Sequence, residues 1–205
     1  MTIVLSSYQG TGYTQKQLVN DHWQQRTHEI LPELKKEWAA IARGQPVTRG
    51  DGVSGEDLLD AIYIPRATFI LDYNSYMGLT SESNLEFLLK LDTTRVDYYI
   101  LDAKTNKMIS HSGGIFFDGQ WKNNGFGGIV DSGNSNNVLR LYTKNISVYT
   151  LWVFITSEQT RGFNIFIEDG QLMCFRPDIP DPKPLLKTLI EFRERDQRKR
   201  KLGLE

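Results

Sequence analysis

Short apolar segments separated by turn residues run through residues 84–177, and this pattern constrains the fold more than any other feature of the chain. Such segments of Val, Ile, Leu, Phe and Tyr are typical of antiparallel sandwiches and barrels. Asp118-Gly119 and Asp169-Gly170 indicate tight hairpins, because both central positions of such turns need positive φ. The nearly continuous apolar run at 148–155 predicts a central strand buried on both faces. Strands are predicted at 85–90, 96–101, 107–110, 115–117, 128–131, 138–142, 148–156, 163–167 and 172–175.

Helical patterns flank this region on both sides. A capping box at 14–17 precedes apolar residues at helical spacing over 18–41, and Pro32 is expected to kink or divide that helix. A short helix is expected over 54–62 before Pro65 ends it, and 68–72 is either a strand or another short helix. The C-terminal part starts as a proline linker and ends in a helix with an apolar side from 185 to 192 and strongly basic last turns.

These patterns together predict a mainly β chain, an antiparallel β-sandwich with a helical N-terminal extension and a C-terminal helix. The expected organisation is a helical or irregular extension at 1–80, the sandwich at 84–177, and a proline linker with a basic helix at 178–205.

Composition narrows the classes of function. Lys and Arg total 24 and Asp and Glu total 25, so a net charge of −1 draws the chain neither to nucleic acid nor to a membrane surface. The one cysteine, Cys174, excludes an intramolecular disulfide and a multi-cysteine zinc site. No apolar run is long enough for a membrane helix, and the first residues do not resemble a signal peptide. We expect a cytoplasmic protein without a membrane partner.

The search for catalytic chemistry gives no active site. His22 and His28 are six positions apart on the predicted helix and point to different sides, which makes them poor joint metal ligands. His111 lies between two serines, but a catalytic triad needs a third orienting group in space, so a turn role is the better interpretation. Cys174 has no cationic neighbour in its predicted strand and is interpreted as a buried thiol. We therefore expect no enzyme activity.

The strand region resembles the tellurium-resistance and general-stress (TerD-type) family in the order and spacing of its segments. The matching segments are Phe87-Leu-Leu-Lys-Leu-Asp92, Val96-Asp-Tyr-Tyr-Ile-Leu-Asp102, Asn106-Lys107, Ile115-Phe-Phe-Asp-Gly119, Ile129-Val-Asp-Ser-Gly-Asn134, Leu151-Trp-Val-Phe-Ile-Thr156 and Thr160-Arg-Gly-Phe-Asn164. The resemblance implies a stress-response β-sandwich related to calcium-binding proteins.

The same resemblance implies a calcium site that is degenerate in this chain. Asp97, Asp131 and Asn134 occupy the segments that carry ligands in the family, and they are the candidate metal residues. The family's acidic loop is replaced here by Ser135-Asn-Asn137, whereas calcium needs six to eight oxygen ligands, several of them anionic. The expectation is therefore no cofactor, with calcium as the one possible exception.

Three functions remain open at this point. The first is a non-enzymatic stress-response-type module that binds a partner protein or itself, with the N-terminal and C-terminal helices as docking elements. Trp23 and Trp38 would then be interface anchors, although aromatic residues on a helix more often pack on their own domain. The second is a structural subunit of a larger assembly, such as a phage or secretion-type particle. The third is a small-molecule-binding β-barrel or enzyme with a cavity lined by aromatic residues: Tyr98, Tyr99, Trp121, Phe126 and Trp152.

Overall fold

The computed structural model describes residues 21–44, 55–105, 107–126, 132–156 and 158–203. The helices in these ranges are α1 (Asp21–Gly44), α2 (Gly55–Asp60), α3 (Tyr73–Met77), α4 (Leu85–Leu88), α5 (Ser132–Thr143) and α6 (Leu185–Lys201). The strands are β1 (Ile62–Arg66), β2 (Thr68–Leu71), β3 (Lys90–Leu91), β4 (Arg95–Leu101), β5 (Met108–Phe117), β6 (Gln120–Phe126), β7 (Tyr149–Phe154), β8 (Thr160–Glu168), β9 (Gln171–Arg176) and β10 (Ile179–Pro184).

The strands form two sheets, which confirms the mainly β sandwich predicted from the sequence. One sheet has the order β1-β4-β5-β6 and the other has the order β10-β9-β8-β7-β2-β3. All neighbouring strands are antiparallel except β2 and β7, which run parallel. The predicted central strand is β7. Tyr149, Leu151 and Val153 are buried on one face, whereas on the other face Thr150 is buried and Trp152 and Phe154 are half-buried.

A long bent hairpin joins the two sheets. Its first arm is β1 and β2, separated only by the buried Ala67, and its second arm is β3 and β4, separated by residues 92–94. β1 pairs with β4 in the four-stranded sheet, and β2 pairs with β3 in the six-stranded sheet. Both arms therefore pass from one sheet into the other. The expected boundary near residue 80 lies between the two arms, so strands from both sides of it build each sheet.

Helix α1 covers the outer face of the four-stranded sheet. Ile30, Leu34 and Trp38 pack against Val96 and Tyr98 of β4, and the Trp38 side chain is fully buried. The hydroxyl of Tyr98 also donates a hydrogen bond of 2.6 Å to the carbonyl oxygen of Thr27. The apolar face of this helix is therefore used within the chain.

Helix α6 covers the outer face of the six-stranded sheet in the same way. Leu185, Leu189 and Phe192 lie in one apolar cluster with Phe163 of β8 and Cys174 of β9. The ring centroids of Phe163 and Phe192 are 5.6 Å apart in an edge-to-face arrangement. The order of layers is helix, sheet, sheet, helix.

Polar contacts fasten the basic end of α6 to the sheet. Asp196 accepts two hydrogen bonds from the guanidinium of Arg161, at 2.9 and 3.0 Å. Arg193 donates to the carbonyl oxygen of Leu79, and Arg200 donates to that of Ile155. Several cations of this basic end are therefore bound within the chain, while others are exposed: Arg195, Arg198, Lys199 and Lys201.

Two predicted strands are helices. The segment 85–90 begins with α4, because the side chain of Asn84 accepts a hydrogen bond of 2.9 Å from the backbone of Glu86 and caps a helical turn, and only Lys90 and Leu91 form a strand. The segment 138–142 lies inside α5, where Val138 and Leu141 are three positions apart and both face the core. The predicted strands 107–110 and 115–117 are two ends of the single strand β5.

The prolines are also placed differently from the expectation. Pro32 lies inside α1, which continues as one helix from Asp21 to Gly44. Pro65 lies in β1, which was not predicted, and the expected proline linker contains β10. β1 and β10 are both edge strands, where a missing N–H can face away from the sheet.

The two Asp-Gly turns are confirmed. Asp118 and Gly119 have φ of 52° and 74°, and Asp169 and Gly170 have φ of 50° and 73°. The predicted capping box at 14–17 and the predicted strand 128–131 lie outside the described residues.

Candidate functional site

A cluster of polar side chains lies between the two sheets, next to the bend in the long hairpin. In the six-stranded sheet, Thr68, Thr150 and Asn164 are register partners on the adjacent strands β2, β7 and β8 and so share one face. In the four-stranded sheet, Arg66 and Asp97 are register partners on β1 and β4. We call the following six residues the inter-sheet polar cluster: Arg66, Thr68, Asp97, Tyr99, Thr150 and Asn164.

A chain of hydrogen bonds crosses the cluster from one sheet to the other. Arg66 donates from Nη1 to the hydroxyl of Tyr99 at 2.6 Å, and this hydroxyl donates to Oδ1 of Asn164 at 2.8 Å. The Cζ atom of Arg66 lies 4.3 Å from the ring centroid of Tyr99. These contacts fix both the plane of the guanidinium and the orientation of the Asn164 amide.

Asp97 is held separately by a neighbour from the other sheet. The hydroxyl of Thr68 donates to Oδ2 of Asp97 at 2.8 Å. The other carboxylate oxygen lies above Gly113 of β5, where a Cβ atom would collide with it. Glycine at this position therefore leaves the space that the carboxylate occupies.

Two polar atoms of the cluster are buried and have no hydrogen-bond partner among the described residues. They are Nε of Arg66 and Oγ1 of Thr150. Each such atom costs about 1–3 kcal/mol relative to a satisfied one. Groups that would be satisfied by an additional polar molecule are a feature of binding sites, so these two atoms mark the cluster as a candidate site.

The three candidate metal residues have different outcomes. Asp97 belongs to the inter-sheet polar cluster, Asp131 lies outside the described residues, and Asn134 lies in α5 with a side chain that is not described. In the described part of the chain, no group of three or more His, Cys, Asp and Glu side chains could hold a metal ion. The structure therefore places Asp97 without showing it beside the other two candidates.

A second candidate site is the tip of the β5–β6 hairpin. Phe117 and Phe116 precede the Asp118-Gly119 turn and are 63% and 37% exposed. Trp121 follows the turn, and its ring centroid is 5.3 Å from that of Phe116. We call Phe116, Phe117 and Trp121 the aromatic tip.

Cations lie on both faces of the aromatic tip. Phe116 and Trp121 are register partners and point to the α1 side, where Cζ of Arg26 is 5.8 Å from the Phe116 centroid. Phe117 points to the opposite side, where Nζ of Lys122 is 5.0 Å from its centroid. The arrangement offers exposed aromatic area together with positive charge.

The remaining candidates from the sequence are structural or exposed. Cys174 is fully buried, as predicted, and burial raises the pKa of its thiol to about 11. His28 is exposed, while the side chains of His22 and His111 are not among those described. Of the aromatic residues considered as a cavity lining, Tyr98 and Tyr99 are buried and Trp152 is half-buried.

Sequence reasoning missed Arg66 and Asn164, and of these two residues only Asn164 has a signal in the sequence. Asn164 interrupts an apolar strand between Phe163 and Ile165, and a polar residue on a sandwich's inner face is uncommon without a partner. The aromatic tip has a signal too, because aromatic residues that flank a two-residue turn lie where a hairpin leaves its sheet.

Comparison of the chain with protein-family models, with curated proteins and with solved structures gives no match. None of the helices in the described ranges has the length and apolarity needed to cross a membrane.

Proposed function

We propose that this chain is a non-enzymatic β-sandwich module that binds a partner protein through the aromatic tip. The observation that carries the proposal is that Phe117, which is 63% exposed, lies at a hairpin turn next to the packed Phe116 and Trp121 rings, so that the exposed aromatic area is grouped and not isolated. A large aromatic side chain in water contributes nothing to the core of its own domain. Aromatic residues of this kind are common among the few that dominate binding energy in protein interfaces.

The conformation of the hairpin supports the proposal. The Asp118-Gly119 turn adopts the positive φ values that a two-residue hairpin requires. Trp121 packs against the cluster formed by α1 and the four-stranded sheet, so the hairpin is held from one side. A partner would therefore lose little binding energy to ordering of this surface.

The charges favour an acidic partner. Arg26 and Lys122 lie beside Phe116 and Phe117, on opposite faces of the hairpin. A segment that places an apolar side chain on Phe117 and a carboxylate near Lys122 would match both features of the surface. Complementary charge of this kind mainly raises the association rate and the selectivity.

The helices are less suitable as docking elements than the sequence alone indicates. Trp38 is fully buried against the four-stranded sheet, and Trp23 is 4% exposed. Leu185, Leu189 and Phe192 are buried against the six-stranded sheet. Their apolar faces are covered by the chain's own sheets, which supports a docking surface at the hairpin.

The TerD-type resemblance would give this binding function a stress-response role in the cytoplasm. That role is part of the proposal and rests on the resemblance alone. In this proposal the module acts without calcium, since the acidic loop of the family is replaced by Ser135-Asn-Asn137.

Selection from a random peptide display library against the full chain tests the proposal. Enriched peptides are synthesised with a fluorescent label, and their Kd is measured by fluorescence polarisation. We expect enriched peptides to combine an apolar residue with acidic ones. Phe117→Ala should weaken their binding at least tenfold, because truncating an aromatic anchor typically costs about 2 kcal/mol.

Phe87→Ala is the matched control, because Phe87 is 81% exposed on α4. Phe87→Ala should bind the peptides as the unchanged protein does, and Lys122→Glu should weaken binding most at low salt. Failure to enrich any peptide, or equal losses in Phe117→Ala and Phe87→Ala, would contradict the proposal.

A further inference from the structure

We propose that the partner segment binds in an extended conformation, as an added strand along the open edge of β6 next to the aromatic tip. This inference rests on the proposed function and specifies the conformation and the residue pattern of the segment. β6 is the last strand of the four-stranded sheet, so one side of its backbone has no neighbouring strand among the described residues. A strand with such an edge is a template for pairing with another extended chain.

The edge at β6 differs from the other three sheet edges in the described ranges, which are protected against pairing. Pro65 lies in β1, and β10 contains Pro180, Pro182 and Pro184. β3 is only two residues long. Prolines and very short strands are common means by which proteins block pairing at an edge. β6 has seven residues and no proline, so its edge can accept a further strand.

The register of the β5–β6 hairpin determines which backbone groups face outward. The amide of Phe116 donates to the carbonyl oxygen of Thr94 at 2.8 Å, so the backbone groups of Phe116 face β4. In an antiparallel pair, the partner of such a residue directs its own N–H and C=O away from the strand that they share. Trp121 is the partner of Phe116. Asn123 is the partner of Gly114, which lies two positions before Phe116 and so faces the same way.

The N–H and C=O groups of Trp121 and Asn123 therefore point away from the sheet. Within the described residues, they form no hydrogen bond to another backbone group. The register of the hairpin shifts between Ser112 and Gly114, so the regular part of β6 is residues 120–123. An added strand would gain up to four backbone hydrogen bonds from these two residues, and it would extend the sheet directly beside the aromatic tip.

The side chains at this edge determine the residue pattern of the segment. All other pairs in the four-stranded sheet are antiparallel, and an antiparallel strand continues that arrangement. Its residue opposite Trp121 places a side chain on the α1 side, and its next residue lies opposite Lys122 on the other face. Aromatic side chains pair well with apolar ones across strands, and opposite charges also stabilise a pair. The segment should therefore have an acidic residue flanked by apolar ones.

The charge of β6 disfavours a second copy of this chain as the occupant. A symmetric antiparallel pair of two β6 strands that uses the outward groups of Trp121 and Asn123 places the two Lys122 residues directly opposite each other. Like charges in this position destabilise a sheet. An acidic segment instead gains from Lys122 on one face of the hairpin and from Arg26 on the other.

Amide hydrogen exchange of the ¹⁵N-labelled full chain, measured by NMR, tests whether the edge is open. Lys122 is the register partner of Ile115, so its amide faces β5 and should exchange more slowly in the free protein than the amides of Trp121 and Asn123. An enriched peptide from the display selection, at about ten times its Kd, should slow exchange of the Trp121 and Asn123 amides about tenfold.

Two results of the exchange measurement would overturn the proposal. Slow exchange of both the Trp121 and Asn123 amides in the free protein would mean that another segment of the chain already pairs with this edge. Protection of these amides that rises with protein concentration would assign the edge to a second copy.

Backbone methylation of the enriched peptide tests the pairing itself. Replacing N–H by N–CH₃ removes a donor, and it should weaken binding about tenfold or more at the two residues that flank the acidic residue. Methylation of the acidic residue is the matched control. Its N–H points away from β6, so its methylation should change the Kd by no more than about twofold.

Asn123→Pro is the corresponding change in the protein. It removes an outward N–H but no hydrogen bond to β5, as Pro65 does in the edge strand β1, and an unchanged circular dichroism spectrum checks the fold. We expect it to weaken peptide binding about tenfold. Peptides that require Phe117 but tolerate methylation at every residue would overturn this inference and leave the proposed function intact. Failure to enrich any peptide would contradict both.

Discussion

Replacement of Asp196 by alanine tests how α6 is held on the six-stranded sheet. Asp196 accepts hydrogen bonds from Arg161 at 2.9 and 3.0 Å and from the hydroxyl of Tyr76 at 2.9 Å. The Arg161 and Asp196 side chains are only 17% and 12% exposed. Asp196→Ala therefore leaves a largely buried guanidinium and a buried hydroxyl without their acceptor.

The size of the loss follows from this burial. Breaking a buried ion pair from one side costs about 3–5 kcal/mol, and the remaining exposure of both groups favours the lower end. We expect Asp196→Ala to reduce the free energy of unfolding by about 3 kcal/mol. For a chain of this size that corresponds to a decrease in the unfolding midpoint of about 6–12 °C.

Urea unfolding at pH 7, followed by circular dichroism, measures this loss. The double variant Arg161→Met with Asp196→Leu removes both charges and should lose about 2 kcal/mol less than Asp196→Ala. A loss below about 1 kcal/mol for Asp196→Ala is the value of a surface ion pair and would refute the reasoning.

The loss should also depend on pH. Burial raises the pKa of Asp196, but the hydrogen bonds from Arg161 and Tyr76 and the charges of Arg161 and Arg195 outweigh it and hold the pKa below its usual range. A lowered pKa in the folded state means that the carboxylate stabilises the fold above about pH 4 and loses this effect as the pH falls through the lowered pKa. The difference in the free energy of unfolding between Asp196→Ala and the unchanged protein should therefore become smaller below pH 4.

Four further predictions concern single groups. Asp72 caps α3, and its hydrogen bond from the Ser75 backbone and its contact with Lys90 lower its pKa to about 2. Asp72→Ala should therefore reduce the free energy of unfolding, measured with urea at pH 7, by about 1 kcal/mol, and Asp72→Asn should reduce it much less. The reduction in Asp72→Ala should become smaller between pH 4 and pH 2, where the carboxylate is protonated. Burial raises the pKa of the Cys174 thiol to about 11, so iodoacetamide should modify it only after unfolding, as mass spectrometry will show; rapid modification of the folded chain would disprove its burial. Thr150→Val should raise the free energy of unfolding by about 1 kcal/mol, because it removes a buried hydroxyl without a partner in the described residues, and a loss of stability would contradict this. The thermal unfolding midpoint should be the same in excess calcium as in chelator. A bound ion at one hundred times its Kd would instead add about 2.7 kcal/mol to the free energy of unfolding and raise the midpoint by several degrees.

The sequence predicts the elements whose signals are local. Each of the turns at Asp118-Gly119 and Asp169-Gly170 depends on two residues with positive φ. β7 depends on one nearly continuous apolar run. The apolar side of α6 follows from helical spacing. In each of these cases a few neighbouring residues contain the whole physical cause.

Elements that depend on distant neighbours were predicted wrongly or not at all. The apolar residues of the segment 138–142 are compatible with a strand or a helix. The segment forms part of α5, in which Val138 and Leu141 are buried on the same side. Pro65 predicts the end of a helix, but the structure places it in β1. A proline is tolerated there because β1 is an edge strand, and that position is determined by pairing with β4, far downstream in the chain.

The candidate sites show the same division. Asp97 was singled out as a metal residue, but its observed partner is Thr68, 29 positions away in the other sheet. Arg66 and Asn164 meet only through Tyr99, and five strands from two sheets must be in place before the inter-sheet polar cluster exists. The spacing of residues along the sequence does not indicate that Arg66 and Asn164 both contact Tyr99.

The parallel pairing of β2 with β7 has a consequence for synthesis of the chain. Thr68 and Thr150 are partners about 80 positions apart, so the ribosome completes β2 roughly 4–16 s before β7 emerges, at ~5–20 residues per second. Through that interval the apolar Phe69 and Leu71 lie on a strand whose inner neighbour does not yet exist. α6, which finally covers this face, is translated after all ten described strands. The nascent chain is therefore most exposed to aggregation, and most in need of a chaperone, from the translation of residue 72 until α6 is complete.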